Sequence, residues 1–355
     1  MKPYLCTCGN TLYFDNTRCL ACQAEVGYDP FLDAMVPVGF GTAHTRCFNG
    51  STHGICNWVV PATQRGTLCL SCNLTKVIPL LSVPDALPLW SVMEENKRHL
   101  IYSLKQFGLP IIDKATDPAA GLAFQFKVAL PDQPVITEHD KGLIVINLEE
   151  ADDVVRERNR KNLHEPYRTM LGHFRHEVGH YYWYLWFELG NGFPRELDAC
   201  RQVFGDDRAD YDAAMKIHYQ NGAPLGWENS FISSYSSMHP WEDWAETWAQ
   251  YLHICDGLET ARQFGLETGV KGKQIDLFTP AAAKLPAPFD TINTTAFLDL
   301  IHRWVRLSPA LNAFSQSLGH QNLYPFVLSV PVVQKLHFIH HCITTLQMQR
   351  PGTRA

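Results

Sequence analysis

Two histidines four residues apart, with a glutamate directly after the first, are the most reactive-looking pattern in the chain: His176, Glu177 and His180 in the segment HEVGH. On an α-helix, histidines at that spacing share a face and can turn two imidazole nitrogens toward one ion. Glu177 lies about 100° further round the axis, beside that ion, where its carboxylate can take a proton from a water. A third ligand is offered downstream by the segment YSSMHPWEDWAE. There Glu242 and Glu246 are again four apart, so one can reach the ion while the other accepts a hydrogen bond from a ligand imidazole. We assign Glu242 as the ligand and Glu246 as the supporting carboxylate, with Asp243 a weaker candidate for support. In a chain with 16 histidines the five-residue signature alone is a moderate coincidence. The second helix, with a carboxylate at the right place, makes it a zinc site with an activated water.

The amino terminus carries a different metal chemistry. Eight of the eleven cysteines fall within the first 72 residues, mostly in close pairs. Cys6 and Cys8 followed by Cys19 and Cys22 supply four thiolates from two tight knuckles, which suits a closed tetrahedral zinc of structural type. Cys47, Cys56, Cys69 and Cys72 supply a second set. In a reducing compartment such spacings hold metal rather than disulfides. The expectation is three zinc ions, one catalytic and two structural. A module this small has little core and gains its folding free energy from the metal.

These residues need elements to hold them. The first 80 residues read as short strands (11–14 and 57–60) between turns rich in Cys, Gly, Asn and Thr. Residues 81–120 read as a proline-containing linker and a helix over 89–107. Residues 121–355 read as the catalytic domain. In it, strands at 124–128 and 142–148 precede a helix that starts near Pro166, runs through HEVGH into YYWYLWF, and ends at Gly190-Asn191-Gly192. A further helix opens at Pro240, where Trp241, Trp244 and Trp248 recur at helical spacing and read as core. Helical patterns over 297–307 and 332–346 follow. The fold class is α+β: a small metal-held module followed by a mainly helical domain with a small sheet.

Length and composition set limits on function. With 355 residues and 46% apolar content the chain can bury a sizeable core. A formal charge of −6 leaves no global basic field for phosphate backbones, and residues 1–80 balance five basic side chains against four acidic. Nucleic acid is therefore not the expected partner. The terminus MKPYLCTCGN lacks the apolar core of a signal peptide, and no apolar run reaches the roughly twenty residues of a bilayer span. A cytoplasmic location with no membrane partner is expected. His173 shares the face of His176 and reads as a supporting or surface histidine. His337, His341 and Cys342 lack a fourth partner for a second metal, and Cys200, Cys255 and Cys342 read as buried thiols.

The HEVGH segment with its downstream glutamate resembles the gluzincin metallopeptidases, and the spacing from Tyr235 through Glu242 to Glu246 looks like the anthrax-lethal-factor type. By that resemblance Tyr235 would give its phenol to the oxyanion of a tetrahedral intermediate. The strand 142–148 would be the edge strand along which an extended peptide pairs. The chain is still more similar to a bacterial family of zinc-binding metallopeptidases with an amino-terminal zinc ribbon. The likeness rests on YLCTCGNTLYFDNTRCLAC, CNWVVP, GLIVINLEEADD, EPYRTMLGHFRHEVGHYYW, YSSMHPWEDWAETWAQYLH and LYPFVLSVPVVQKLHFIH. It implies hydrolysis of peptide bonds in a protein or peptide substrate through zinc-activated water, with Glu177 as general base and the ribbon available to dock that substrate. The competing expectation is a zinc-ribbon adaptor whose peptidase-like half only binds. A protease working on DNA-bound proteins would require a basic surface that the sequence lacks.

Overall fold

The computed structural model describes residues 1–130, 132, 133, 135, 137–162, 169–191, 193, 196–266 and 278–349. Pro166 and Gly192, the expected boundaries of the HEVGH helix, lie outside the described residues. By compactness the chain forms two units. One comprises Met1–Gln106, Pro110–Arg156 and Glu259–Gly265, the other Phe107–Leu109, Glu157–Leu258 and Leu266–Ala355. The first unit therefore holds the expected linker helix and sheet as well as the cysteine module. The class is α+β.

In the first unit, three hairpins come from strands of two to four residues: β1 (Tyr4–Leu5) with β2 (Thr11–Leu12), β3 (Val26–Asp29) with β4 (Ala34–Pro37), and β5 (His44–Arg46) with β6 (Val59–Pro61). Hairpins this short do not hold themselves in water. Two short helices, α1 (Phe48–Thr52) and α2 (Leu70–Asn73), begin at Cys47 and Cys69. Phe14, Tyr28, Trp58 and Tyr102 form a tight aromatic cluster, with ring centroids 4.7 Å apart for Phe14 and Tyr28 and 5.2 Å for Tyr28 and Trp58. Tyr102 belongs to α3 (Ala86–Gln106), whose Trp90, Met93, Lys97, Leu100, Ile101 and Leu104 are buried at three- and four-residue spacing.

A four-stranded sheet lies in the same unit, in the order β7 (Thr75–Val77), β8 (Ala123–Lys127), β10 (Leu143–Asn147), β9 (Glu138–Asp140). The β7–β8 and β8–β10 pairs are parallel and the β10–β9 pair is antiparallel. This corrects the expectation of an edge strand at 142–148. Ile144 is paired with Phe124 on one side and His139 on the other, so most of the strand has no free backbone edge for a peptide. The edge on that side is the three-residue β9, and the opposite edge is β7. The sheet also takes β7 from within residues 1–80, the stretch expected to form the metal module.

Among the described residues the second unit is helical. After α4 (Asp153–Asn162) come α5 (Met170–Trp183), α6 (Leu197–Phe204), α7 (Tyr211–Asn221), α8 (Pro240–Gln263), α9 (Thr295–Ser317) and α10 (Val330–Gln349). Thr169 starts α5, its hydroxyl accepting the Gly172 amide at 3.0 Å, and a π-helical turn at Tyr184–Glu188 prolongs it. α5 meets α8 closely because Gly179 has no side chain: a Cβ there would stand 3.0 Å from the Ala245 Cα and 3.2 Å from the Trp248 Cβ. Trp244 Nε1 donates to the Gly179 carbonyl at 2.8 Å, and Tyr182 stacks on Trp248 at 4.9 Å. Trp244 and Trp248 are fully buried, as their spacing implied. No helix among the described residues is long and apolar enough to cross a membrane.

Candidate metal centres

The α5–α8 contact sets the site. On α5, His176 and His180 face α8 one turn apart, with their Nε2 atoms 3.1 Å from each other. On α8, Glu242 sits in the first turn, and its Oε2 lies 3.0 Å from His176 Nε2 and 3.5 Å from His180 Nε2. All three side chains are buried or nearly so. Glu242 Oε2 accepts no aligned hydrogen bond, an expensive condition for a buried carboxylate oxygen unless a cation meets it. Tetrahedral zinc with bonds of about 2.0–2.1 Å holds its ligand atoms about 3.3 Å apart. The three atoms have that spacing, and they fit the ion.

The remaining partners fix the donors. Glu246 Oε1 lies 2.8 Å from His176 Nδ1, which directs the opposite ring nitrogen toward Glu242, and Ser233 donates to Glu246 Oε2 at 2.7 Å. Glu242 Oε1 accepts from the Tyr211 hydroxyl at 2.9 Å. Trp241 packs its ring 3.7 Å from that of His180, so this one of the three tryptophans serves the site rather than the core. Asp243, the weaker candidate for support, turns elsewhere: Lys335 of α10 meets it at 2.6 Å and Thr247 at 3.5 Å. It is one residue on from Glu242 and so faces about 100° away.

Glu177 is held by an imidazole N–H of His173, one turn earlier on α5, at 3.1 Å. Burial would raise its pKa, but this hydrogen bond and the nearby imidazoles outweigh burial and lower it, so it is a carboxylate at neutral pH. Burial likewise opposes charge on His176, yet Glu242 and Glu246 raise its pKa well above the imidazole range. Glu242 is held well below the carboxylate range, the imidazoles overcoming burial. The pocket thus favours positive charge among its donors. Tyr235, in a single 3₁₀ turn (Tyr235–Ser237), has its ring 6.0 Å from that of His176. Burial first, and the Glu242 charge second, raise its phenol pKa, so it stays a protonated donor.

The cysteine sets also assemble. Sγ atoms of Cys6 and Cys22, and of Cys8 and Cys19, are 3.7 Å apart, and those of Cys56 and Cys69 are 3.8 Å apart. A disulfide would need about 2.05 Å. Four thiolates about 2.3 Å from a tetrahedral zinc stand about 3.8 Å from one another. Cys6, Cys8, Cys19 and Cys22 form one group and Cys47, Cys56, Cys69 and Cys72 another, with no exchange of members. Backbone amides, that of Cys22 foremost, lower the Cys19 thiol to about 6. In the second set the neighbouring thiols, Cys56 foremost, lower that of Cys47, and Cys47 Sγ also accepts the Cys69 amide at 3.2 Å.

Sequence reasoning missed Tyr211 and Ser233. Ser233 lies two residues before the segment that begins at Tyr235. Tyr211 is 31 residues from Glu242, on a helix with no buried residue, and no spacing rule connects them. His337, His340 and His341 on α10 are packing residues: His337 accompanies Phe297 and gives its Nδ1–H to the Ala283 carbonyl at 2.6 Å, and Tyr251 bonds His340 at 2.9 Å.

Residues 86–342 match the family described as "Putative zinc-binding metallo-peptidase", and residues 3–83 match a zinc-ribbon domain. Uncharacterised proteins of Mycobacterium bovis and of two strains of Mycobacterium tuberculosis are each 40% identical over 341 residues, covering 96% of this chain and 94% of the relative. No solved structure matches.

Proposed function

The chain belongs to this zinc-binding metallo-peptidase family, and from that premise we propose that it hydrolyses peptide bonds in a protein or peptide substrate. The observation that carries the reading is the convergence of His176 Nε2, His180 Nε2 and Glu242 Oε2 within 3.5 Å of one another, on two helices packed through Gly179. These three are the ligands of the catalytic zinc, and the two cysteine sets hold structural zinc. A zinc at the three donors supplies a Lewis acid that acidifies water and polarises a carbonyl. Glu177 takes the proton of the attacking water and passes it to the leaving amine, so water and peptide become a carboxylic acid and an amine. His173 holds the Glu177 carboxylate in place for both transfers. Glu246 fixes the ring of His176, and Tyr235 gives its hydrogen bond to the oxygen on which negative charge develops.

The test is Glu177→Gln in zinc-loaded protein. New peptide termini in a lysate treated with the wild type should be absent with the variant, and turnover should fall by about 10²–10⁴-fold with zinc content unchanged. Full turnover in Glu177→Gln ends this mechanism. Two zinc per chain, with the histidines unloaded and no new termini from the wild type, would instead support a binding-only adaptor.

A further inference from the structure

We propose that Tyr211 is a positioning residue for the candidate ligand Glu242, fixing its carboxylate so that a single oxygen faces the two histidines. This rests on the metal site proposed above. Glu242 divides its two oxygens between different surroundings. Oε2 lies among His176 Nε2 and His180 Nε2, while Oε1 accepts the Tyr211 hydroxyl at 2.9 Å. A carboxylate with both oxygens free can swing between one-oxygen and two-oxygen contact with a cation. One whose outer oxygen is held by a neutral donor keeps a single orientation.

Tyr211 is built for this task. It is the first residue of α7, and Asp210 caps that helix by accepting the Ala213 amide at 3.0 Å. Its ring meets His239 edge-on at 5.3 Å and Trp241 at 5.8 Å, and Trp241 in turn packs on His180. His239 is itself fixed, its Nε2 meeting the Ala209 carbonyl at 3.1 Å and its Nδ1 accepting the Trp241 amide at 3.1 Å. The phenol is therefore aimed at Glu242 by His239 and Trp241, which lead into that carboxylate's helical turn. No residue of α7 is fully buried, and Tyr211 is half-buried. The helix is seated at the site by its first residue, and by His218, whose ring lies 6.0 Å from that of Tyr235.

Tyr211→Phe keeps the ring and its packing and removes only the hydroxyl. Zinc should leave the histidine–glutamate site about 10–100-fold faster in the variant. The ligand-field absorption of cobalt substituted at that site should shift, while the metal in both cysteine sets stays put. In a double-mutant cycle, adding Tyr211→Phe to Glu242→Gln should change metal release far less than it does in the wild type, because the hydroxyl acts through that carboxylate. Unchanged release and an unchanged cobalt spectrum in Tyr211→Phe overturn the inference, as does an equal effect in the Glu242→Gln background. A wild type that loads the site yet cuts no peptide sinks the peptidase reading and leaves this one standing on the release rates.

Discussion

The two compact units reach a metal-binding arrangement from opposite directions. In the cysteine module of the amino-terminal unit the strands are two to four residues long, and of its cysteines Cys47 and Cys69 start the short helices α1 and α2. The secondary structure there is too slight to place four sulfurs unaided, so the ion organises the chain. In the helical unit α5 and α8 are packed by Trp244, Trp248, Tyr182 and the glycine contact before any ion is considered. There the chain organises the ion. On the proposed assignment, a metal of the first kind would contribute to folding, whereas one of the second kind would be available for chemistry, because its removal would leave the scaffold in place.

Zinc removal should break the two units apart most strongly. A strong chelator is expected to cost the amino-terminal unit about 10 kcal/mol of metal-derived stability, enough to unfold it, while the helical unit keeps its far-ultraviolet dichroism and its hydrogen-exchange protection. Exchange that rises equally in both units would end the distinction. Next in size is Lys97→Met. Lys97 and Glu94 are fully buried and paired at 2.8 Å, and Thr75 of β7 donates to Glu94 at 2.7 Å. Stranding that carboxylate should cost about 3–5 kcal/mol, read as an earlier denaturation of the amino-terminal unit, with much of the loss restored by adding Glu94→Leu.

Gly179→Ala probes the other side of the comparison. Forcing α5 away from α8 should cost about 1–3 kcal/mol, and it should lower zinc occupancy at His176, His180 and Glu242 while leaving two zinc per chain in the cysteines. Loss of cysteine-bound metal instead would show that the units are not metallated independently. The smallest effect lies within the amino-terminal unit. Cys8 and Cys22 are exposed, whereas Cys47, Cys56, Cys69 and Cys72 are all buried, so a thiol reagent should release the first zinc before the second. Release in the reverse order would contradict the burial argument.

Much of this was legible in the sequence because it is local. HEVGH, Glu242 with Glu246, and the cysteine pairs carry their geometry in spacings of two to four residues, which a helix or a knuckle converts directly into a face. What was illegible depended on distant partners. β10 reads as an edge strand until β8 and β9 are both seen beside it, since a strand's neighbours are not encoded in its own alternation. The helix expected over 297–307 continues to Ser317 through Pro309. An interior proline costs about 3 kcal/mol on its own, and paired 2.8 Å hydrogen bonds between Asn312 and the Tyr324 backbone help hold the helix beyond it. α7 escaped notice because it buries no side chain, and with it went Tyr211.

The buried pair on α3 has a meaning for engineering. Cys72 Sγ lies 3.8 Å from Glu94 Oε2, and the Arg98 guanidinium, buried among these cysteines' charges, donates to the Ile55 carbonyl at 2.8 Å. Sequence families draw a seam between residues 83 and 86, yet the charged groups beside the second cysteine set lie beyond it. The ribbon is consequently not a cassette that can be cut out and grafted elsewhere. Severed at the seam it would leave Glu94 and the Arg98 guanidinium behind, and a graft that keeps both must carry the helix as well.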